Sequence, residues 1–229
     1  MKLDGIHHIA VMAKDMKEHI AFFSDVLGCE LMALFPMHGV PGGKHAFMKL
    51  NEHCFFSMVA MDAGKDIPIE LGKSHAGTGA GPSAPGTMQH LAFRVSSDED
   101  LLAMRDRIRS HGFNIVGPID HGMCKSVYFA GPDNMTLEIA TPGYELVPER
   151  WVDPETLAQC GISAEEAAKY MKPEPTKSEG GAVKQPVYDP EKYHQAYPKE
   201  MYMGMIMASD EQIAAAASYT EPPVPEPAQ

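Results

Sequence analysis

His8-Ile9-Ala10-Val11-Met12 and, eighty-odd residues later, His90-Leu91-Ala92-Phe93-Arg94-Val95 are two readings of one pattern. Each starts with a histidine and continues as an apolar, strand-like run. A polar turn and an amphipathic run from Met16 to Leu27, closed by Gly28, follow the first. Ser96 to Asp100, an amphipathic run to about His111 and Gly112 follow the second. Ile20, Phe23 and Leu27 mark one helix face, and Leu101, Met104 and Ile108 mark the other at the same three- and four-residue spacing. Ser96 and Ser97 are candidate caps, and both glycines suit the left-handed position that ends a helix.

Three strand-like runs follow each helix. They are Glu30–Phe35, His45–Leu50 and Cys54–Ala60 in the first unit, then Asn114–Ile119, Ser126–Ala130 and Thr136–Ala140 in the second, with Gly131-Pro132-Asp133-Asn134 as a turn. The spacing predicts an α+β fold of two tandem βαβββ modules, about residues 4–71 and 86–142. Neither module can bury a sheet face alone, so the expectation is one curved, partly closed mixed sheet with the site on its concave side. The segment Gly72–Gly86, rich in Gly, Pro and Ala, reads as a mobile connection or lid.

Residues 1–142 thus form the expected paired domain, and 143–229 an irregular extension. Twelve of the 19 prolines fall in residues 142–229. Lys172–Pro190 and Glu221–Gln229 read as poorly structured, with short helices at Asp153–Met171 and Ser209–Ser218. Met201, Met203, Met205 and Met207 alternate like the face of a strand or extended arm, which suggests a packing surface and a possible homodimer.

The bulk numbers narrow the class. A hydrophobic fraction of 44% and a charged fraction of 22% are those of a globular chain. A formal charge of −12, with no long Lys/Arg run, argues against a nucleic-acid partner. No apolar window is long enough to span a membrane and the amino terminus carries no secretory pattern, so the sequence reads as cytoplasmic. Cys29, Cys54, Cys124 and Cys160 lie far apart, unlike a disulfide scaffold or a Cys-rich zinc site.

His8 and His90 occupy equivalent positions of the repeat, and Glu138 lies in the last strand of the second module. A carboxylate inside the apolar run Thr136-Leu137-Glu138-Ile139-Ala140 needs a cation or a donor. If the repeat is a pseudo-twofold, the two imidazoles converge and Glu138 reaches the same point. Two histidines and one carboxylate with open positions suit Fe(II), and also Mn(II), Zn(II) or Ni(II). Each residue taken singly reads as a satisfied buried polar group. His7 is read as facing the opposite side of the strand.

The motifs HHIAVM, MQHLAF and SVYFAGPDNMTLEIA resemble those of the vicinal-oxygen-chelate superfamily, which includes glyoxalase I, fosfomycin-resistance proteins and type I extradiol dioxygenases. The resemblance covers about residues 4–142 and implies the paired βαβββ fold with a metal at His8, His90 and Glu138. Locally the chain is most similar to the extradiol ring-cleaving dioxygenases, through Ile119-Asp120-His121, Val127-Tyr128, Pro132 and Glu138 in order. Gly131 and Asn134 depart from that signature. Asn51-Glu52-His53 resembles the context of a further acid/base histidine, with the spacing shifted by a residue or so.

The resemblance implies Fe(II)-dependent cleavage of a catechol- or hydroquinone-like ring with O2. His121 would hydrogen-bond substrate or oxygen, Tyr128 would orient a phenolate or donate a proton, and His53 is a third catalytic candidate. Met48, Phe56, Met58, Phe93 and Phe129 are the expected pocket lining, and His75 in the linker is a candidate to enter it. The plain alternative for His121 and Tyr128 is a turn histidine and a strand tyrosine. Two other functions compete. One is a glyoxalase- or fosfomycin-resistance-like lyase or transferase, whose fourth ligand would come from the Phe55–Met58 strand. The other is a metal-free module binding a small flat ligand.

Overall fold

The computed structural model describes residues 3–177 and 180–225. The first module comprises β1 (His8–Met12), α1 (Met16–Ala21), β2 (Leu31–Pro36), β3 (Lys44–Lys49) and β4 (Phe55–Ala60), followed by a short α2 (Asp62–Lys65). The second comprises β5 (Leu91–Arg94), α3 (Asp98–Ser110), β6 (Ile115–Asp120), β7 (Cys124–Ala130) and β8 (Thr136–Pro142). Each module makes its own four-stranded mixed sheet, in the orders β1-β4-β3-β2 and β5-β8-β7-β6. The α+β class and the tandem modules are as the repeat predicts. The strands are divided between two sheets instead of joining in the one curved sheet expected, and β1 and β5 are outer strands.

The strand registers repeat as well. Ala10 pairs with Ser57 in the first sheet and Ala92 with Glu138 in the second; Phe47 pairs with Ser57 and Tyr128 with Glu138. Ser57 is therefore the counterpart of Glu138, and Phe47 that of Tyr128.

Both helices start and stop where their sequences demand. The Asp15 carboxylate accepts the N–H groups of Lys17 and Glu18, and the Ser97 hydroxyl accepts that of Asp100. Gly28 (φ 78°) and Gly112 (φ 85°) close them in the left-handed region, where a side chain is disfavoured. From Phe22 to Val26 the first helix widens into a π turn whose Phe22, Phe23 and Val26 are all buried.

That π turn helps join the modules. The Phe23 ring stacks on Phe56 with centroids 4.1 Å apart, and Phe93 of the second module stands edge-on to Phe56 at 6.0 Å. Ala46, Met48 and Met58 complete one shared core with Leu101, Ile108, Val127, Leu137 and Ile139. Polar ties reinforce it. Arg107 Nε donates to the Val26 carbonyl at 2.7 Å, which places a cation at the carbonyl end of the first helix. Asp133, in the β7–β8 turn, accepts the Lys14 N–H at 2.8 Å and lies 3.4 Å from Nε2 of the fully buried His19.

The chain divides into two compact units, one spanning Leu3–Glu174 and the other taking in the chain from Pro175 onward. The first therefore also holds α4 (Pro148–Trp151), α5 (Pro154–Gln159) and α6 (Ala164–Met171), the last with a Ser163–Glu166 capping box. The second holds α7 (Lys199–Met207) and α8 (Asp210–Ala217). The alternating methionines are thus helical, not a strand face: Met is a good helix former, and Pro198 stands at the N-cap, where no N–H is required. The expectation of poor structure at Glu221–Gln229 and Lys172–Pro190 falls in part on residues 226–229 and 178–179, outside the described residues. No helix among the described residues is long and apolar enough to cross a membrane.

Because Phe56 sits at the junction of both modules, Phe56→Ala is expected to cost about 3–5 kcal/mol. Urea unfolding monitored by circular dichroism reads this, and a loss confined to the first module's signals would contradict a single shared core.

Candidate metal and substrate site

Alternation along the strands fixes which residues reach the site. Leu137 and Ile139 point into the core, so Glu138 points to the opposite face of the second sheet, and Leu91 and Phe93 do the same for His90. Glu138 is only 4% exposed. His90 Nε2 lies 2.9 Å from its Oε2, and a positive species held between the two, a proton or a metal ion, is what the buried carboxylate demands. On the neighbouring strand Tyr128 stands directly opposite Glu138. Its hydroxyl is 3.1 Å from His121 Nε2, and its ring is edge-on to His90 at 6.3 Å. Burial, and then the negative charge of Glu138, push the Tyr128 phenol above its ordinary value, so it is a neutral hydrogen-bonding group at physiological pH.

Two of the four, His121 and Tyr128, line a cavity of about 610 Å³ together with Val116, Thr136 and the linker residues Thr78 and Gly79. The linker lies close against the tyrosine. A Cβ at Gly79 would stand 2.9 Å from Tyr128 Cε1, nearer than a side chain is accommodated. Gln89, which has no role in the sequence reading, holds this segment: its Nε2 donates to the carbonyls of Thr78 at 3.1 Å and Gly81 at 3.0 Å, and its Oε1 contacts His90 Nδ1. The available signal was its position, directly before a candidate ligand.

His8 is exposed on the first sheet, on the face opposite the core, with its ring against Phe47 at 5.4 Å. Its Nδ1 lies 2.9 Å from Nδ1 of His7. Nearby, His45 Nε2 is 2.6 Å from the buried Ser57 hydroxyl; burial first, and then the neighbouring His8 and His38, push this imidazole below its ordinary value. Among the described residues no three His, Cys, Asp or Glu side chains gather closely enough to hold a metal ion, so one chain unites His90 with Glu138 but does not bring His8 to them. His53 lies on the exposed β3–β4 turn, where its N–H donates to the Asn51 side chain at 2.8 Å. His75 contacts Ser74 Oγ and borders a separate cavity beside β1.

The expected apolar lining is largely overturned. Met48, Phe56 and Met58 are fully buried and Phe93 packs against them, because strand parity directs them to the core side. Phe129 alone of that group also borders the cavity.

A family model described as Glyoxalase/Bleomycin resistance protein/Dioxygenase superfamily matches residues 5–139, more than half of the chain. The chain belongs to that superfamily. Part of it is 33% identical, over 87 residues, to MhqO of Bacillus subtilis (strain 168), a protein whose name describes a ring-cleaving dioxygenase. That match covers 37% of this chain and 27% of MhqO, so the chain spans about a quarter of that relative's length. A glyoxylase/bleomycin resistance protein/dioxygenase domain from Frankia sp. EAN1pec is similar in structure, with a TM-score of 0.50 and 18% identity, covering 62% of this chain and 99% of that one. The fosfomycin resistance protein FosX of Listeria monocytogenes, crystallised as a point mutant with Mn(II), gives a TM-score of 0.43 and 18% identity over 65% of this chain and 98% of that one.

The His90–Glu138 pairing has a direct test in metal-free protein. His90→Ala is expected to cost about 1–3 kcal/mol by stranding a buried carboxylate. Adding Glu138→Gln should then return part of the loss, read as urea midpoints; independent, additive losses would contradict the contact.

Proposed function

We propose that this protein is a metal-dependent dioxygenase of the extradiol type, acting on a catechol- or hydroquinone-like aromatic with O2. The observation that carries the reading is the buried Glu138 carboxylate facing His90 Nε2 at 2.9 Å, beside the His121–Tyr128 pair and a cavity of a size suited to a small ring. The donor set fits a divalent ion: an imidazole and a carboxylate already meet, and a second imidazole completes the two-histidine, one-carboxylate set that leaves positions open. His90, Glu138 and His8 would hold it, with Fe(II) favoured over Mn(II), Zn(II) or Ni(II). When bound, such an ion supplies a Lewis-acidic and, for iron, redox-active centre for two adjacent substrate oxygens and O2.

The chain's own residues do the rest. Tyr128, kept neutral, donates a hydrogen bond to a substrate oxygen, and His121 at its hydroxyl takes up or returns the substrate proton. Val116 and Phe129 offer apolar surface to the ring, and the linker over Tyr128 limits water. His53 has no part in this arrangement.

His8 reaches the site from a second copy of the chain in this reading. His8 opens β1 and His90 immediately precedes β5, and both are outer strands. Setting β1 of one copy alongside β5 of another brings His8 of the first towards His90 and Glu138 of the second, and a twofold axis repeats the arrangement. Ser57, the register counterpart of Glu138, offers no carboxylate, which supports a three-ligand set over the four-ligand set of a glyoxalase-like enzyme.

Anaerobic reconstitution with Fe(II), followed by oxygen uptake against catechols and hydroquinones, tests the activity. Stoichiometric iron and no uptake across the panel would remove it. Tight binding of a non-redox ion without uptake would favour a lyase or transferase, and no metal binding a ligand-binding module. The shared site has its own test. His8→Ala and Glu138→Ala are each expected to be inactive, while their mixture, after subunit exchange, recovers about a quarter of wild-type sites. No recovery from exchanged dimers would contradict a site built by two copies.

A further inference from the structure

We infer that Gln89 is a positioning residue that sets the protonated nitrogen of His90 and, with the same amide, ties the Thr78–Gly81 segment over the substrate cavity. The metal role of His90 belongs to the proposed function, and the inference rests on that reading for its functional meaning.

A glutamine amide carries two N–H donors and one carbonyl acceptor. Two backbone carbonyls, those of Thr78 and Gly81, lie 3.1 and 3.0 Å from Nε2, and of the two ends of the amide only the NH2 group can donate to them. The amide is thereby oriented, and its Oε1 must be the atom that faces His90 Nδ1. An amide oxygen only accepts, so Nδ1 must carry a proton. Nε2 is then the nitrogen whose lone pair is available, and it faces the Glu138 carboxylate at 2.9 Å. A bare imidazole nitrogen and a carboxylate repel one another unless a positive species, a proton or a metal ion, lies between them. Without Gln89 the neutral imidazole would move its proton to Nε2 and donate to Glu138 directly, occupying the lone pair a cation needs.

The repeat offers an internal comparison. His7 precedes His8 as Gln89 precedes His90, and His7 Nδ1 likewise engages Nδ1 of its neighbour, at 2.9 Å. Each candidate ligand has its Nδ1 held by the residue before it. Gln89 adds a further attachment, to the segment whose Gly79 lies against Tyr128. Correct orientation of His90 and closure of the cavity wall are thus one hydrogen-bonded event, centred on one side chain.

Two variants separate the functions. Gln89→Glu keeps an acceptor for Nδ1 but cannot donate to Thr78 and Gly81; Gln89→Leu loses both. In the full-length, metal-free protein, nitrogen-15 NMR of the histidine rings is expected to find Nδ1 of His90 protonated in wild type and in Gln89→Glu, and the proton on Nε2 in Gln89→Leu. Amide exchange at Gly81, whose N–H bonds to the Thr78 carbonyl, should accelerate in both variants. Mn(II) affinity should fall about tenfold or more in Gln89→Leu, the usual range for losing the partner of a metal-bound histidine. An unchanged His90 proton position in Gln89→Leu, or unchanged Gly81 exchange in both variants, overturns the inference. If wild type itself binds no metal, the cation reading fails, while the NMR and exchange results still decide whether Gln89 orients the ring.

Discussion

A strand with one face in a hydrophobic core has no freedom in where its alternate residues point, and this constraint underlies the whole site. Leu91 and Phe93, Leu137 and Ile139, and Val127 and Phe129 all belong to the shared core. Their neighbours His90, Glu138 and Tyr128 are therefore driven to the other side of the second sheet. Slipping any of these strands by one residue would exchange a core side chain for a polar one, and in β8 a leucine for a carboxylate. The cost of burying an unpaired charge guards the register as strongly as the apolar contacts favour it.

That same cost explains why the site is polar in an ordered way. Glu138 is nearly inaccessible, and the groups around it are arranged in sequence: carboxylate, imidazole, amide, then two backbone carbonyls of the linker. Tyr128 and His121 form a second arm from the same carboxylate. Half-satisfied buried networks destabilise, whereas a connected one fixes a single arrangement. Superfamily membership gives such an arrangement a natural use, since the superfamily named by the matching model includes dioxygenases.

The first module shows how duplication can leave unequal halves. Its open face keeps the histidine at the start of β1 but carries Ser57 and Phe47 at the register positions of Glu138 and Tyr128. It carries one exposed imidazole and the Phe23–Phe56 half of the core, while the buried carboxylate and the tyrosine that lines the cavity belong to the second module. Joining the halves through their core faces, with Arg107 on the Val26 carbonyl and Asp133 on Lys14, leaves both histidine-bearing edges outermost.

Sequence alone determined what depends on local periodicity and local chemistry. The duplicated strand–helix–glycine units, the eight strands to within a residue or two, the face of Glu138 and the nearness of His121 to Tyr128 all follow from spacing, caps and alternation. Tertiary structure decided what depends on contacts between distant segments. It divided the strands between two sheets, since edge pairing is not encoded in either strand. It placed Met48, Phe56 and Met58 in the core, because which face meets the other module is settled only by packing. It set Met201 to Met207 in a helix, where period-two spacing alone had suggested a strand. It kept His8 apart from His90 and Glu138 within one chain, and it gave Gln89 a role invisible to spacing, because its partners Thr78 and Gly81 are brought to it only by the path of the linker.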